Sequence, residues 1–180
     1  HFKPLIQKHS KYNLQIIFKH ADKLGANAFA LPGGTVIFTD EMVKLAKNKQ
    51  ELTAVLAHET GHVVHRHGMR QLVQKSLLSF ALLAITGDAS GTSEIFLTLP
   101  VLLTQLSYSR DFELEADQYA LTFLQDQGIT PRHFANILRR IDDQYQIKDK
   151  HQAAFKWKHY LSTHPLTAKR LKPFEQSREE

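Results

Sequence analysis

Residues 51–62 read Glu51-Leu52-Thr53-Ala54-Val55-Leu56-Ala57-His58-Glu59-Thr60-Gly61-His62. Strong helix formers lead the run, and Leu52, Leu56 and Val63 recur on one stripe, so a buried helix is expected over about 50–67. In a helix that turns once every ~3.6 residues, positions four apart stack on one face, and His58 and His62 point two imidazoles at a common spot. Glu59 is displaced by about 100° from His58, beside that pair and not part of it. Ala54, Ala57 and Gly61 are small enough to admit close neighbours.

The spacing suits a zinc ion shared by His58 and His62, with Glu59 placed to take a proton from a water at the ion. This is the His-Glu-x-x-His arrangement of metallopeptidases. A catalytic ion of this kind needs a third protein ligand and an open position. With no Cys in the chain, that ligand must be a carboxylate or another histidine.

Downstream, Arg110-Asp111-Phe112-Glu113-Leu114-Glu115-Ala116-Asp117 opens a second expected helix, over about 111–127, in which Glu113, Asp117, Ala120, Leu121 and Leu124 share the apolar face. A carboxylate on a buried face needs a cationic or metal partner. Zinc for Glu113 and the outer N–H of a ligand imidazole for Asp117 would satisfy both. The alternative is a pair of buried salt bridges to arginine, Arg66 or Arg110. Glu115 lies on the polar face with Gln118, Thr122 and Gln125 and reads as solvated. His65 shares the angular face of His58 but sits about 10 Å further along the axis, too far for the same ion. His65 and His67 therefore read as surface or supporting histidines.

Outward from these helices the pattern changes. Leu14–His20, Ala28–Leu31 and Thr35–Thr39 read as strands, the last two separated by the turn signal Pro32-Gly33-Gly34, which gives a small sheet of about three strands within 14–39. From Asp40 the period is helical almost to the end, with breaks at Asn48, Gly68, 87–91, Gly128 and after Ile141. Strands followed by helices indicate an α+β class, and a length of 180 residues with 42% hydrophobic content fits a single domain over 1–180. The most apolar region is split into Leu77–Ile85 and Ile95–Leu106, each short of the ~18–20 apolar residues of a spanning helix. It reads either as a pair of core helices or as a hairpin that makes peripheral contact with a membrane through 77–106 or caps the cleft. The charge of +5 is scattered, with no basic run of five residues and no aromatic-interleaved basic motif, so nucleic acid is not an expected partner. His1 in first place points to a processed chain, and no signal-peptide pattern remains.

Five ordered blocks resemble the HtpX and CAAX-prenyl endopeptidase family of gluzincin metallopeptidases, particularly its soluble BepA-like and Oma-like members. They are Asn27-Ala28-Phe29-Ala30-Leu31-Pro32-Gly33-Gly34, the run from Glu51 to His62, Arg66-His67, Ser109-Arg110 with Glu113 and Asp117, and Thr163-His164-Pro165 followed by Arg170. The resemblance implies a zincin-like domain with one Zn²⁺ per chain, held by His58, His62 and Glu113, with Glu59 as general base and Asp117 behind a ligand histidine. It also implies an edge strand at Asn27, Ala28, Phe29, Ala30 and Leu31 that holds extended polypeptide substrate. His164 is similar to a histidine that approaches the zinc, either to stabilise an oxyanion or to fill the open position at rest, and Arg170 is expected to pair with an acid near the site. The implied function is cleavage of unfolded or misassembled polypeptides in the bacterial periplasm or at the membrane of the envelope. The alternative is a latent or non-catalytic zinc-bound chaperone or binding module closed by His164.

Overall fold

The computed structural model describes residues 2–8, 10–86, 108–151 and 160–176. A short helix α1 (Lys3–Lys8) leads into β1 (Gln15–Lys19), β2 (Ala28–Ala30) and β3 (Thr35–Thr39). Then come α2 (Asp40–Leu45), α3 (Lys49–Val64), α4 (His67–Thr86), α5 (Arg110–Asp126), α6 (Arg132–His151), α7 (Tyr160–Thr163) and α8 (Ala168–Gln176). The α+β reading holds, with a small N-terminal sheet and a mostly helical remainder. The short α1 was not anticipated.

The sheet order is β1-β3-β2. β3 pairs parallel with β1, Gln15 opposite Thr35, and antiparallel with β2, Ala28 opposite Phe38, which leaves β2 at an edge. The β2–β3 reversal needs glycine. At φ 92, Gly34 lies in the left-handed region, and a Cβ there would fall 2.1 Å from the Tyr12 carbonyl oxygen. Thr39 ends β3 and starts α2: its Oγ1 donates to Gly25 O at 2.8 Å, accepts from Asn27 N at 2.8 Å and caps Met42 N at 3.3 Å.

Asn48 caps α3 by accepting from Glu51 N at 2.9 Å, and Glu51 reaches back to Lys47 N at 2.8 Å, so two of the free donors at that helix start are satisfied. Arg140 of α6 grips Glu51 with Nη1 at 2.8 Å and Nη2 at 2.9 Å, tying the two helices. The expected single apolar stripe on α3 understates its burial. Every residue from Thr53 to Val63 is buried while Leu52 is only partly so, because α5, α6, α4 and β2 pack around the helix.

Gly61 sets the closest approach. A Cβ there would stand 2.9 Å from Ala116 Cα, so α3 and α5 cross almost backbone to backbone and face His58 and His62 towards Glu113 and Asp117. The core beneath gathers Phe38, Met42, Leu56, Phe123, Phe134 and Phe174.

Three boundaries differ from expectation. The active-site helix ends at Val64, not near residue 67, and the chain turns at His65–Arg66 so that Gly68 lies inside α4. No break follows Ile141, since α6 runs on to His151: Asp142, Asp143 and Gln144 are polar but hold neither Gly nor Pro, and an exposed helix accommodates them. Leu77–Ile85 forms the second half of α4, not a separate helix, and Leu77 is 63% exposed, which does not fit a core helix at that end. Ile95–Leu106 lies outside the described residues. Among the described residues, no helix is long and apolar enough to cross a membrane.

Candidate metal centre and active site

Four side chains from two helices and one loop converge. His58 and His62 come from α3, Glu113 from the first turn of α5, and His164 from the residue after α7. His62 Nε2 lies 3.0 Å from His58 Nε2 and 3.4 Å from Glu113 Oε1. His164 Nδ1 lies 3.0 Å from Glu113 Oε1 and 3.4 Å from His58 Nε2. Donors bound tetrahedrally at about 2.0–2.2 Å stand about 3.3–3.6 Å from one another, which is the spacing seen here to within a few tenths of an ångström. The donor set, two or three imidazoles and one carboxylate, is the chemistry that suits zinc. Among the described residues one other group could hold a cation, His20 with Asp22 and Glu41, but His20 and Asp22 are exposed and His20 Nδ1 already meets Asp40 at 3.1 Å.

Burial dominates the electrostatics. His58, Glu59 and His164 are 0% exposed, and His62 and Glu113 are 1% exposed. Burial pushes His62 well below its usual value, and the neighbouring His58 and His164 add to that. Burial also opposes charge on His58, yet its bonds to Asp117 and Glu113 prevail and raise it to about 9. Burial likewise works against an ionised Glu113, but the charge and hydrogen bond of His164, with the bonds to His58 and His62, hold it well below the carboxylate range. An anionic carboxylate facing three imidazoles is a pocket that favours a cation.

Glu59 stands beside this group. Its Oε1 accepts from the Tyr160 hydroxyl at 3.0 Å and lies 3.5 Å from His164 Nε2. Among the described residues its Oε2, and His164 Nε2, have no hydrogen-bond partner. A buried carboxylate oxygen without a partner is costly, and a water between these atoms and an ion would satisfy it. Burial raises Glu59 above the ordinary carboxylate value, tempered by His164 and His58.

Behind the donors, His58 Nδ1 meets Asp117 Oδ1 at 3.0 Å. Arg170 of α8 grips Asp117 through Nε at 2.6 Å and Nη2 at 2.8 Å, and reaches Glu113 Oε2 with Nη1 at 2.7 Å. Both sequence readings of these acids therefore have a counterpart here, an imidazole partner and an arginine partner, but the arginine is Arg170 and neither Arg66 nor Arg110. His164 is no surface histidine. Its ring stacks on Tyr160 at 4.3 Å, and Tyr160 is anchored by its N–H to Ala26 O at 3.1 Å.

Of the two readings of His67, surface or supporting, the second holds: it is wholly buried, with Nδ1 2.9 Å from His62 Nδ1. The reading of Glu115 as solvated needs correction, since, though 41% exposed, it accepts from His67 Nε2 at 2.9 Å and from Arg70 Nη1 at 2.9 Å. Helix periodicity could not place His67, because α3 ends before it and Arg66, at φ 54, turns the chain back. The expected substrate strand lies close by. Asn27 and Ala28 are buried, Phe29 to Leu31 are half-buried, and Ala30 and Leu31 share a small cavity with His62.

Comparison with known proteins bears out the resemblance. Over 152 residues the chain is 34% identical to a protein of Schizosaccharomyces pombe named mitochondrial metalloendopeptidase OMA1, covering 83% of this chain and 43% of that one. Over 155 residues it is 30% identical to the beta-barrel assembly-enhancing protease of Yersinia pestis, covering 81% of this chain and 31% of that one. The Escherichia coli strain K12 protein of the same name is 28% identical over 155 residues, again across 81% of this chain and 31% of its own length. The chain thus spans less than half the length of these relatives. The model of Peptidase family M48 matches residues 4–177, and the chain belongs to that family.

Proposed function

We propose that this chain is a zinc-dependent endopeptidase acting on extended segments of unfolded or misassembled polypeptides, with residues 1–180 working as one catalytic domain. The observation that carries the reading is the convergence of His58, His62 and Glu113 at tetrahedral spacing beside a buried Glu59. His58, His62 and Glu113 would hold the ion. Bound zinc would polarise the scissile carbonyl and lower the pKa of a neighbouring water. Glu59 takes the proton of that water on Oε2 and returns it to the leaving amine, while the Tyr160 hydroxyl on Oε1 fixes the plane of the carboxylate. Its raised pKa brings the carboxylate closer to neutrality, where one group can both accept and deliver a proton.

β2 is the strand to which substrate would add, since among the described residues only β3 pairs with it, and it ends beside His62. A cleft of about 790 Å³ against Glu113 and Arg170, bordered by Leu114, Pro165 and Leu166, offers room for substrate side chains. The setting we infer is the bacterial envelope, in the periplasm or at its membrane surface. The relatives named for beta-barrel assembly support it, as do the exposed Met69 and Val73 on α4 and the exposed Leu77 that begins the 77–106 stretch proposed for peripheral membrane contact.

A second reading has its own support. His164 Nδ1 completes a four-donor set, and the whole cluster is buried, which suits a latent state or a non-catalytic zinc-bound module. Cleavage of a denatured protein by the zinc-loaded chain separates these. Glu59→Gln should keep one zinc and lose cleavage, whereas retained turnover removes Glu59 as the base. His164→Ala should raise turnover if His164 closes the site and lower it if His164 steadies the oxyanion. No cleavage by either the unaltered chain or His164→Ala favours the binding module.

A further inference from the structure

His62 is held from behind by a chain of hydrogen bonds whose direction can be worked out from its outer end. Glu115 Oε2 only accepts, so His67 Nε2, 2.9 Å away, carries a hydrogen. In a neutral imidazole that leaves Nδ1 bare, able only to accept. His62 Nδ1, 2.9 Å from it, must therefore donate, and the lone pair of His62 falls on Nε2. That nitrogen is the one facing His58 Nε2 at 3.0 Å and Glu113 Oε1 at 3.4 Å.

The geometry of the outer members is fixed as well. His67 stacks on Phe112 with ring centroids 4.4 Å apart and an interplanar angle of 7°. Arg70 pins Glu115 through Nη1 at 2.9 Å while its guanidinium lies 4.3 Å over the Phe112 ring. The left-handed Arg66 between the two helices makes the arrangement possible, for it reverses the chain so that the first residue of α4 points back at the last turn of α3.

We propose that His67 and Glu115 are positioning residues that set the tautomer and ring plane of His62, so that its Nε2 lone pair is aimed into the cluster before an ion arrives. Asp117 Oδ1 stands 3.0 Å from Nδ1 of His58, in direct contact with that ring. The two histidines thus have unlike supports: a carboxylate in contact for His58, and a carboxylate reached through a second imidazole for His62. Orienting partners of this kind typically change metal affinity about 10–100-fold.

This inference rests on His58, His62 and Glu113 holding the metal, and the test separates the two. Zinc affinity is measured by chelator competition for the unaltered chain, His67→Leu, His67→Asn and Glu115→Gln, with the Tm of each metal-free protein and the visible spectrum of each Co²⁺-loaded one. His67→Leu, which cannot accept from His62, should bind zinc about 10–100-fold more weakly. His67→Asn, whose amide oxygen can stand where Nδ1 stood, should recover most of the loss and restore the Co²⁺ bands, and Glu115→Gln should fall between. Equal affinity in His67→Leu and the unaltered chain would overturn the proposal. So would an Asn variant as weak as the Leu variant at equal metal-free Tm, and if His67→Leu does not fold, an unchanged affinity in Glu115→Gln does the same. Failure of the unaltered chain to take up one zinc would instead remove the metal site itself, and the relay with it.

Discussion

Arg170→Met removes one cation from between two buried carboxylates, and the distances set the scale of the loss. The guanidinium makes a two-pronged contact with Asp117 at 2.6 and 2.8 Å and a third with Glu113 at 2.7 Å, and Arg170 is 4% exposed. Removing one partner of a buried pair costs about 3–5 kcal/mol, and because two acids lose their arginine at once we expect about 4–5 kcal/mol. For a chain of this size that is a fall in Tm of about 8–20 °C. Urea unfolding followed by circular dichroism, with chelator present so that metal does not mask the change, measures it. Arg170→Lys keeps the charge without the planar fork and should recover only part of the loss.

The pH dependence has a definite sign. Burial works against an ionised Asp117, but the Arg170 bonds and His58 hold its pKa below the ordinary 3.8. That stabilisation is present above 3.8 and lost as pH falls through the lower native value, so the gap between the two proteins should narrow on acidification. A variant within about 1 kcal/mol of the original at pH 7, or a gap indifferent to acid, would refute the reasoning.

Further outcomes follow from other contacts. Gly61→Ala places a methyl 2.9 Å from Ala116 Cα, so α3 and α5 must part; a stability loss of about 1–3 kcal/mol and weaker zinc binding are expected, and an unchanged Kd would show that the helix crossing does not set the ligand spacing. Arg66→Gly relieves a left-handed residue at φ 54 and should leave stability level or raised by about 0.5–1 kcal/mol, net of the extra freedom glycine gives the unfolded chain, as read by Tm. His58 is raised to about 9 in the metal-free protein and must be neutral to bind an ion, so zinc binding should release close to one proton below that value and tighten as pH rises towards it. Titration calorimetry in buffers of different ionisation enthalpy reads that proton, and no buffer dependence would count against the assignment.

The sequence carried most of what regular helices and strands encode. Four-residue spacing placed His58 and His62 on one face, the apolar face of α5 singled out Glu113 and Asp117, and β3 fell at its expected residues because a Gly-containing turn and the Thr39 cap bound it. What escaped lay where the chain leaves regular structure. His67 sits beyond a reversal made by a non-glycine left-handed residue, which sequence pattern does not announce. Glu115 is on the solvent face of its helix, and only the return of α4 gives it a buried partner. The resemblance already sets Arg170 beside an acid of the site; that it takes both Asp117 and Glu113, and that Arg66 and Arg110 take neither, depends on where α8 docks, a tertiary fact. The polar run after Ile141 reads as a loop by composition, but an amphipathic helix with an exposed face has the same composition there.

The central claim is that two imidazoles one helical turn apart and the Glu113 carboxylate meet on a single ion. Anomalous diffraction at the zinc edge from crystals of the zinc-loaded chain tests it most directly. One strong peak is expected about 2.0–2.2 Å from His58 Nε2, His62 Nε2 and a Glu113 carboxylate oxygen. A peak at His20, Asp22 and Glu41 alone, or one near the two histidines with Glu113 turned away from it, would rule out the shared ion.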